Sequence, residues 1–455
     1  MSQNQTQATA SGPAARPRQS ARRRIAQSRG RLGRLVFRLL LAAIVIVLAA
    51  NLFTKNKTYS EAENRSLAQF PSFSLSALKD GSYFSDLTDS FSDQFAGRNR
   101  WISLHLQELK LMGQHESGGV YLGKDGYLLL APEDPDREAI AGSVAAINQL
   151  AADYPDLHTT MIIVPGASTT MRDYGPKNMP ARDQNADIAD FESQLSSSIT
   201  CVDAGAVLAE HTDEYIYYKT DHHWTSLGAY YTFQAAVDAL DISAYVSDFD
   251  VYPVTDSFQG TLASKSGSHK VSDTINIYLP RTEVRYTVTR GEETTKNCSI
   301  FNSEALSSSD QYTVFFGGNY SKVDIQTTVS NGRKLLVFKD SYANSFMQFL
   351  LPCYERIIMI DPRYYYGSMD ELLNLGITDV LYLYTADNAL TSTTLKDVVT
   401  SYSGGDAATD TTAADSGSAT ADSSDTESSA GDTDADSYTD SGAETQADPA
   451  DSSAE

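Results

Sequence analysis

The stretch RKLLVFKDSYANSF, residues 333–346, joins an apolar run to a polar turn and then to a second segment. Its first part, RKLLVF, has the β-branched and aromatic residues that are typical of a buried strand. Ala343, a small residue, stands near the start of the segment that follows, and we predict a helix there. A strand that runs into a helix is the building unit of α/β proteins, so this stretch predicts that fold class.

Other segments repeat this alternation on both sides of the stretch. Helical spacing is found at 137–154 and 226–240. We therefore predict a three-layer α/β sandwich over residues 58–402, with a β-rich insertion at 245–310, where serine and threonine are frequent. Short apolar runs predict further strands of a parallel sheet, at TTMIIVP (159–165), YTVFF (312–316), ERIIMID (355–361) and TDVLYLY (378–384).

The N-terminal sequence predicts attachment to a membrane. Residues 1–34 contain eight arginines and no acid, and LVFRLLLAAIVIVLAANLF at 35–53 contains one charge. About 20 apolar residues span a bilayer as a helix, and basic residues before such a helix favour a cytoplasmic N-terminus. We predict a disordered basic cytoplasmic arm at 1–34 and a transmembrane signal anchor at 35–53. A cleaved signal ending at Ala49 or Ala50 is the alternative, while the arginines disfavour a buried soluble helix.

The C-terminal composition and the net charge limit the kinds of partner. Residues 403–455 contain fourteen acids and no base, so we predict a disordered acidic tail, either inert or a spacer in the cell envelope. The net charge of −24 argues against nucleic acid as a partner. The three cysteines are scattered and have no metal-type spacing, so they allow one disulfide but require none.

The most unusual motif is DHHW at 221–224, which precedes a predicted helix. EYIYYK at 214–219 has the composition of a strand, so the motif is predicted to lie in a strand-to-helix loop, where α/β proteins place their ligand sites. In an extended loop Asp221 and His223 point the same way, and a carboxylate there can orient the imidazole as a general base. Trp224 could wall the site or stack on a sugar. The alternative is that these side chains only satisfy backbone groups of the loop.

The turn after the apolar run at 333–338 places Ser341 at the start of a predicted helix. Backbone N–H groups and the helix dipole can stabilise an oxyanion at such a position, which is what a nucleophilic serine needs. An ordinary helix cap is the alternative. Tyr342 and Asn344, which follow the serine, are further candidates for substrate binding.

A third loop contains two glycines and an asparagine. Gly318 would allow a ligand to approach the backbone closely, and Asn319 could donate a hydrogen bond to an oxyanion. The alternative is a simple turn after the predicted strand at 312–316.

Together, these three loops resemble a known family. The motif at 221–224 matches the signature of the DHHW proteins, which are similar to the SGNH-hydrolase-like alginate O-acetyltransferases of the AlgX/AlgJ type. The resemblance extends over residues 58–400 and implies an SGNH-hydrolase-like sandwich. Four more segments resemble that group in the same order, namely ENRSLAQFPSFS (63–74), FSDQFAGRNRW (91–101), GVYLGKDGYLLL (119–130) and IIVPGAS (162–168).

The resemblance implies roles for three residues. Ser341 would be the nucleophile, His223 the general base and Asp221 the acid that orients the base. The chain departs from the family pattern at two places. Lys339 stands where the family's Gly-Asp-Ser begins, and VPGAS at 164–168 lacks the lysine that relatives often have after Val-Pro.

The function implied by the resemblance is a single-pass, membrane-anchored, extracytoplasmic enzyme. It would transfer an O-acetyl group to a cell-envelope polysaccharide or exopolysaccharide through an acyl-serine. An O-acetylesterase of the same fold is the alternative. The resemblance also implies a membrane-bound O-acyltransferase as the partner that supplies acetyl groups, and we expect no cofactor and no metal.

Two other functions are compatible with the same residues. A non-catalytic scaffold could bind polysaccharide through Trp224, Tyr342 and the other tyrosines. A metal site could use Asp221, His222 and His223, with His211 as a further ligand. Adjacent histidines in an extended loop point to opposite sides, which disfavours the metal site.

Overall fold

The structure is a computed structural model that describes residues 18–402, except Glu292 and Thr294. For residues 18–28 it describes the backbone alone. The predicted acidic tail at 403–455 lies outside the described residues, as do the first seventeen residues of the predicted basic arm.

The α-helices vary from one long N-terminal helix to single turns. Five short 3₁₀ turns accompany them in the described chain, at Lys124–Gly126, Arg172–Tyr174, Ser303–Ser307, Gln311–Val314 and Met347–Phe349. The α-helices are α1 (Arg18–Phe53), α2 (Leu75–Asp80), α3 (Ser82–Asp93), α4 (Arg98–Leu111), α5 (Arg137–Asp153), α6 (Ala167–Thr170), α7 (Gln184–Ser193), α8 (Ala204–Ala209), α9 (Ser226–Ala236), α10 (Thr261–Ser266), α11 (Ala343–Phe346), α12 (Met369–Leu373), α13 (Ala386–Thr391) and α14 (Thr394–Val399).

The strands form one large sheet and three small ones in the part of the chain that the structure describes. They are β1 (Tyr59–Ser60), β2 (Arg65–Ser66), β3 (Glu116–Ser117), β4 (Val120–Leu122), β5 (Leu128–Leu130), β6 (His158–Val164), β7 (Ile199–Val202), β8 (Phe249–Phe258), β9 (Asp273–Pro280), β10 (Tyr286–Arg290), β11 (Lys322–Thr327), β12 (Lys334–Lys339), β13 (Arg356–Ile360) and β14 (Asp379–Thr385).

The large sheet has the strand order β10-β11-β13-β12-β14-β6-β7. The five strands from β13 to β7 are parallel, and β11 and β10 continue the sheet in antiparallel pairing at one edge. β12 is central and lies between β13 and β14, both of which follow it in sequence. The chain therefore reverses its direction of travel across the sheet at β12, and the loops at such a point leave a crevice at the carboxyl ends of the strands.

The sheet is buried on both faces. In β12, Leu335 and Val337 belong to one hydrophobic cluster, which includes residues of α8, α9 and α11. Leu336 and Phe338 belong to the other cluster, which includes residues of α5, α12 and α14. Because side chains alternate along a strand, a strand covered by helices on both sides is apolar throughout. The predicted three-layer α/β sandwich with a mostly parallel sheet is confirmed.

The aromatic run at 312–316 and the stretch at 214–219 do not form the strands that we predicted. Gln311–Val314 is a 3₁₀ turn, and the chain enters the glycine loop through Phe316, whose φ is +67°. Residues 214–219 contribute only the isolated bridge between Tyr217 and Trp224. Their apolar side chains are buried in the same hydrophobic cluster as one face of the sheet, so composition alone does not distinguish them from strands.

Two strands of the large sheet escaped the sequence analysis. β7 and β11 each contain both buried and more exposed residues, because β7 forms one edge of the sheet and β11 lies next to the other. A search for continuous apolar runs therefore misses them.

The segment at 245–310 contributes a long antiparallel pair, β8 and β9, with the short helix α10 between them. β10 also lies in this segment, but it pairs with β11 and so belongs to the large sheet. Leu262 and Ala263 of α10 also pack on the small sheet of β3, β4 and β5, together with Leu106 of α4. The segment thus brings the start of α10 and the start of β9 towards the crevice.

The N-terminal helix has a membrane-spanning composition. Residues Arg29–Phe53 of α1 are long and apolar enough to cross a membrane, and none of the most apolar window is buried in the protein. The length of a bilayer core, about 30 Å, corresponds to about 20 helical residues.

Candidate active site

The loop that carries DHHW is fixed at both ends. The carboxylate of Asp273, at the start of β9, accepts hydrogen bonds from the backbone N–H of Thr220 at 2.7 Å and from its hydroxyl at 2.5 Å. At the other end, the hydroxyl of Thr225 caps α9 by accepting a bond from the N–H of Gly228 at 3.3 Å. The motif is therefore held in one conformation between two anchored ends.

Within this loop an acid, an imidazole and a distant hydroxyl form a hydrogen-bonded chain. Asp221 Oδ1 lies 2.5 Å from His223 Nδ1, and His223 Nε2 lies 2.7 Å from Ser341 Oγ. The loop conformation is reinforced because the same Oδ1 also accepts the backbone N–H of His223 at 3.0 Å. With Nδ1 protonated, Nε2 is free to accept the serine proton, which is the arrangement that general-base catalysis requires.

The second oxygen of Asp221 is held by the start of α10. Oδ2 accepts the backbone N–H of Thr261 at 2.8 Å and its hydroxyl at 3.0 Å. A Cβ at Gly260 would overlap this carboxylate, although the φ of −84° at Gly260 is accessible to any residue. Glycine is therefore needed at position 260, because there is no space for a side chain. Neither Gly260 nor Thr261 was among the site residues predicted from the sequence.

The turn that carries Ser341 is tied to the neighbouring strand by Asp340. One carboxylate oxygen accepts the N–H of Tyr342 at 2.9 Å. The other accepts the N–H of Thr385, at the end of β14, and the amide of Asn388, both at 2.8 Å. Ser341 is thereby presented at the carboxyl edge of the sheet, with its side chain only partly exposed.

Trp224 and Tyr342 occupy a different place from the one predicted. Trp224 is fully buried and Tyr342 is 2% exposed, so neither ring has the open face that stacking on a sugar requires. Trp224 Nε1 donates to the carbonyl oxygen of Tyr342 at 3.0 Å, and the Tyr342 hydroxyl donates to the carbonyl oxygen of His222. The two rings therefore bind the DHHW loop to the serine turn.

Tyr312 covers one face of the imidazole and was missed in the sequence. Its ring lies parallel to that of His223, with 3.9 Å between centroids and 13° between planes. Its hydroxyl donates to the carbonyl oxygen of Ser341 at 3.1 Å. Tyr312 thus fixes the position of the imidazole relative to the serine. The only sign of this in the sequence is that Tyr312 belongs to the aromatic run at 312–316, which indicates that its side chain is buried.

Burial and charge determine the protonation of the acid–imidazole pair. Burial opposes the charged form of Asp221, but the imidazoles of His222 and His223 and the N–H of Thr261 outweigh it and hold the pKa of the carboxyl below its usual range. Burial and the neighbouring His222 lower the pKa of His223 to about 4, against the opposing effect of Asp221. At neutral pH the pair is therefore a carboxylate beside a neutral imidazole, the form in which a base accepts a proton.

The predicted oxyanion donors surround a buried ammonium group. Lys339 is 1% exposed, and its Nζ donates to Asn344 Oδ1 at 2.9 Å and to Asn319 Oδ1 at 3.0 Å. Burial lowers the pKa of Lys339 to about 8, and Asp361, 3.7 Å away, opposes this shift. Lys339, which stands where the family pattern has glycine, therefore joins the glycine loop that contains Asn319 to the segment that follows Ser341.

The two asparagines differ in what they can still bind. Asn344 is 3% exposed, and its Nδ2 donates to Asn319 Oδ1 at 3.1 Å, so both ends of its amide are occupied. Asn319 is exposed, and its Nδ2 has no hydrogen-bond partner in the described part of the chain. Gly318 has a φ of +131°, which glycine adopts readily, and open space around its Cα. Of the predicted oxyanion residues, Asn319 and Gly318 are the accessible ones.

His222 is directed away from the serine. Its side chain is 37% exposed, and its Nδ1 lies 2.8 Å from the hydroxyl of Thr261. Ligand atoms of Asp221, His222 and His223 lie within 4.8 Å of one another, which is a spacing that a metal ion could bridge. The closest contact among them is the hydrogen bond between Asp221 and the Nδ1 of His223, and the Nε2 of His223 faces Ser341. This arrangement favours hydrogen bonding within the cluster over metal ligation.

The fold and the site together define a class of protein. A mostly parallel sheet between two helical layers, with loops for a serine and an acid–histidine pair at its carboxyl edge, is the architecture of the SGNH-hydrolase-like proteins. The model of one family, the DHHW proteins, matches residues 136–360. The resemblance to DHHW proteins that was found in the sequence is therefore confirmed.

Solved structures are similar over most of their own length. A DHHW family protein from Eubacterium siraeum is 27% identical, with a TM-score of 0.55, and the match covers 62% of this chain and 95% of that one. PatB1 from Bacillus cereus, solved with a sulfonyl adduct, is 18% identical, with a TM-score of 0.51 over 60% and 97% of the two chains. Among the curated proteins there is no significant match.

Proposed function

We propose that this protein is a membrane-anchored, extracytoplasmic, serine-dependent O-acetyltransferase that acts on a cell-envelope polysaccharide or exopolysaccharide. The observation that carries the proposal is the hydrogen-bonded chain from Asp221 through His223 to Ser341. The resemblance of the three loops to alginate O-acetyltransferases supports acetyl as the group that is transferred.

In the first half of the reaction, Ser341 takes the acetyl group from a donor ester or thioester. Its Oγ forms a bond to the acetyl carbon while His223 Nε2 accepts the hydroxyl proton, and the carbonyl oxygen becomes an oxyanion. The tetrahedral intermediate then collapses, the bond to the donor's oxygen or sulfur breaks, and His223 returns the proton to that leaving atom. The product is an acetyl ester of Ser341.

In the second half, a sugar hydroxyl repeats these steps in the acceptor direction. His223 removes the proton of the hydroxyl as its oxygen attacks the acetyl carbon, and the proton passes to Ser341 Oγ when the ester bond to the enzyme breaks. Asp221 keeps Nε2 facing the serine and stabilises the imidazolium that forms in each half.

Asn319 is the side chain that we assign to the oxyanion. Its Oδ1 is fixed by the ammonium group of Lys339, which leaves Nδ2 as a donor directed away from the buried cluster. A fixed donor costs no reorganisation when the charge develops, and one such donor contributes about 3 kcal/mol in acyl-transfer enzymes.

The proposal is tested by following where the acetyl group goes. The purified full-length chain is expected to release p-nitrophenol from p-nitrophenyl acetate with an initial burst, because the acetyl-enzyme accumulates. Cell-envelope glycan from the source cells, stripped of acetyl esters with mild base, should accelerate the later phase and acquire acetyl groups, measured by mass spectrometry. Release of all acetyl as free acetate, unaffected by glycan, would instead show an esterase.

The proposed location of the enzyme is based on the helix that is long and apolar enough to span a membrane. Arginines precede the span, which favours an N-terminus in the cytoplasm and a catalytic domain outside it. We expect a membrane-bound O-acyltransferase to deliver the acetyl groups there, as the family resemblance implies.

The orientation can be measured with reporter fusions. Alkaline phosphatase, which needs disulfides and folds only outside the cytoplasm, is expected to be active when fused after residue 402, because the arginines keep the N-terminus inside. β-Galactosidase, which works only in the cytoplasm, should be inactive at the same position. Activity of the second fusion and not of the first contradicts the orientation.

A further inference from the structure

The region after the span contains helices whose apolar side chains face outwards. We call residues 67–112, which include α2, α3 and α4, the helical lobe. Eight of its large apolar side chains are between 50% and 89% exposed, namely Phe73, Leu75, Phe84, Phe91, Trp101, Leu104, Leu111 and Met112. A soluble domain seldom exposes so many large apolar side chains in one segment, and such a surface usually marks an interaction site.

The lobe buries almost nothing within the chain. α2 has no buried residue, and Ser90 is the buried residue of α3. Helices of six and twelve residues are marginal in water unless an apolar surface covers them. The lobe therefore lacks a partner for its apolar face among the described residues.

Helix α4 shows two apolar faces, of which the domain uses one. Ile102 and Leu106 face the small sheet and pack in its hydrophobic cluster. Trp101, Leu104 and Leu111 form a second stripe, at spacings of three and seven residues, and this stripe is exposed. Residues three and seven apart lie on the same side of a helix, so the second stripe is a continuous apolar face that the described part of the chain leaves exposed.

The connection between the span and the lobe places this apolar face close to the end of the span. The span ends at Phe53, and four residues further the backbone N–H and carbonyl of Lys57 are bonded to the side-chain amide of Gln94, at 2.9 and 2.8 Å. Four residues reach at most about 14 Å. The N–H of Ala96, in the turn between α3 and α4, also donates to Asn51 Oδ1, in the last turn of the span, at 2.9 Å. The lobe is therefore joined to the end of the span at two points.

The charge of the lobe and its connections is balanced. Between residues 54 and 116 there are seven basic and eight acidic residues. A surface that binds through phosphates would carry a clear excess of lysine and arginine. An apolar surface with aromatic residues and little net charge instead suits the zone between lipid headgroups and acyl chains, where tryptophan and tyrosine are enriched.

We propose that the helical lobe lies in the membrane interface, with the exposed stripe of α4, Phe73 and Leu75 at the start of α2, and the exposed phenylalanines of α3 inserted among the lipids. This rests on the membrane anchoring in the proposed function and goes beyond it. A span alone is a flexible tether, whereas a span with an interfacial lobe holds the domain at a fixed height and orientation. The catalytic crevice would then face a membrane-bound acetyl donor from a constant position.

The two tryptophans of the chain make a direct test possible. Trp101 is 50% exposed on the lobe, and Trp224 is fully buried behind the active site. The full chain is reconstituted in nanodiscs of phosphatidylcholine, either unmodified or brominated on the acyl chains. Bromine quenches indole emission only at close range, so we expect brominated lipid to remove the Trp101 contribution. The Trp101→Phe variant, in which Trp224 alone emits, should be unaffected by bromine.

The possible outcomes test the position of the lobe independently of membrane anchoring and of catalysis. Bromines placed near the headgroup end of the acyl chains should quench more strongly than bromines placed near the bilayer centre, because the lobe lies in the interface. Equal emission in both lipids, from a chain that co-purifies with the nanodiscs, overturns the proposal and indicates that a protein partner or a second copy covers the face. Ser341→Ala should be quenched like the wild type, so a failure of the proposed catalysis does not affect this result.

Discussion

Replacement of Ser341 by alanine is expected to lower kcat for p-nitrophenyl acetate by about 10⁵-fold and to prevent any covalent acetyl-enzyme, because among the described residues no other hydroxyl is bonded to His223 Nε2. The same variant should not react with a sulfonyl fluoride, which in the wild type should label one residue. The measurements are burst kinetics and the mass of the intact protein. The fold should be retained, because a partly exposed hydroxyl in a turn contributes little to the core.

Ser345→Ala is the matched control for this experiment. Ser345 lies in α11, directly after the turn that carries Ser341, is fully buried and has its hydroxyl near Tyr342 and Tyr312 rather than near His223. Its removal should change kcat by no more than a few-fold. If purified Ser341→Ala turned over like the wild type, the proposed mechanism would be rejected, and polysaccharide binding by a non-catalytic scaffold would become the better explanation.

Replacement of Asp221 by asparagine is expected to lower kcat by about 10³- to 10⁴-fold with an intact Ser341, because an amide in place of the carboxylate favours the wrong imidazole tautomer and does not stabilise the imidazolium. In the wild type, kcat/KM should stay constant from neutral pH to well below the ordinary titration of histidine, since the pKa of His223 is lowered to about 4 and the neutral form is the base. Asp221 raises that pKa, so the acid limb of the variant should move to lower pH.

Asp213→Asn removes the same charge from an exposed position and serves as the control. It should leave both kcat and the pH profile unchanged. An acid limb centred near the usual pKa of histidine, about 6.5, in the wild type would show that His223 is not the base or is not buried in the working enzyme.

The proposed membrane interface and the proposed active site place different demands on the chain. The lobe needs exposed apolar side chains next to the span, whereas the crevice needs polar side chains held in a dry, rigid frame. Asp340 and Asp273 contribute to that frame, because their carboxylates accept backbone N–H groups of the loops and fix their conformation. The two regions can therefore be altered independently, which the Trp101 and Ser341 experiments use.

Local pattern was sufficient for the elements with strong periodicity. The strands at 158–164, 334–339, 356–360 and 379–385 were evident because a strand buried on both faces is apolar at every position. The helices at 137–153 and 226–236 were evident from helical spacing. Edge strands and buried loops were misassigned, because their burial depends on segments that are remote in sequence.

The sequence by itself determined the α/β class, a segment long and apolar enough to span a membrane, and the residue types that acyl transfer needs in three loops. Only the tertiary structure decided which of those side chains face the crevice. Trp224, Tyr342 and Asn344 are buried between loops, whereas Tyr312, Thr261 and Gly260 form the support around His223 and Asp221. The physical reason is that these contacts join residues as far as 120 positions apart, so they exist only after the strands have assembled and brought their carboxyl ends to one edge.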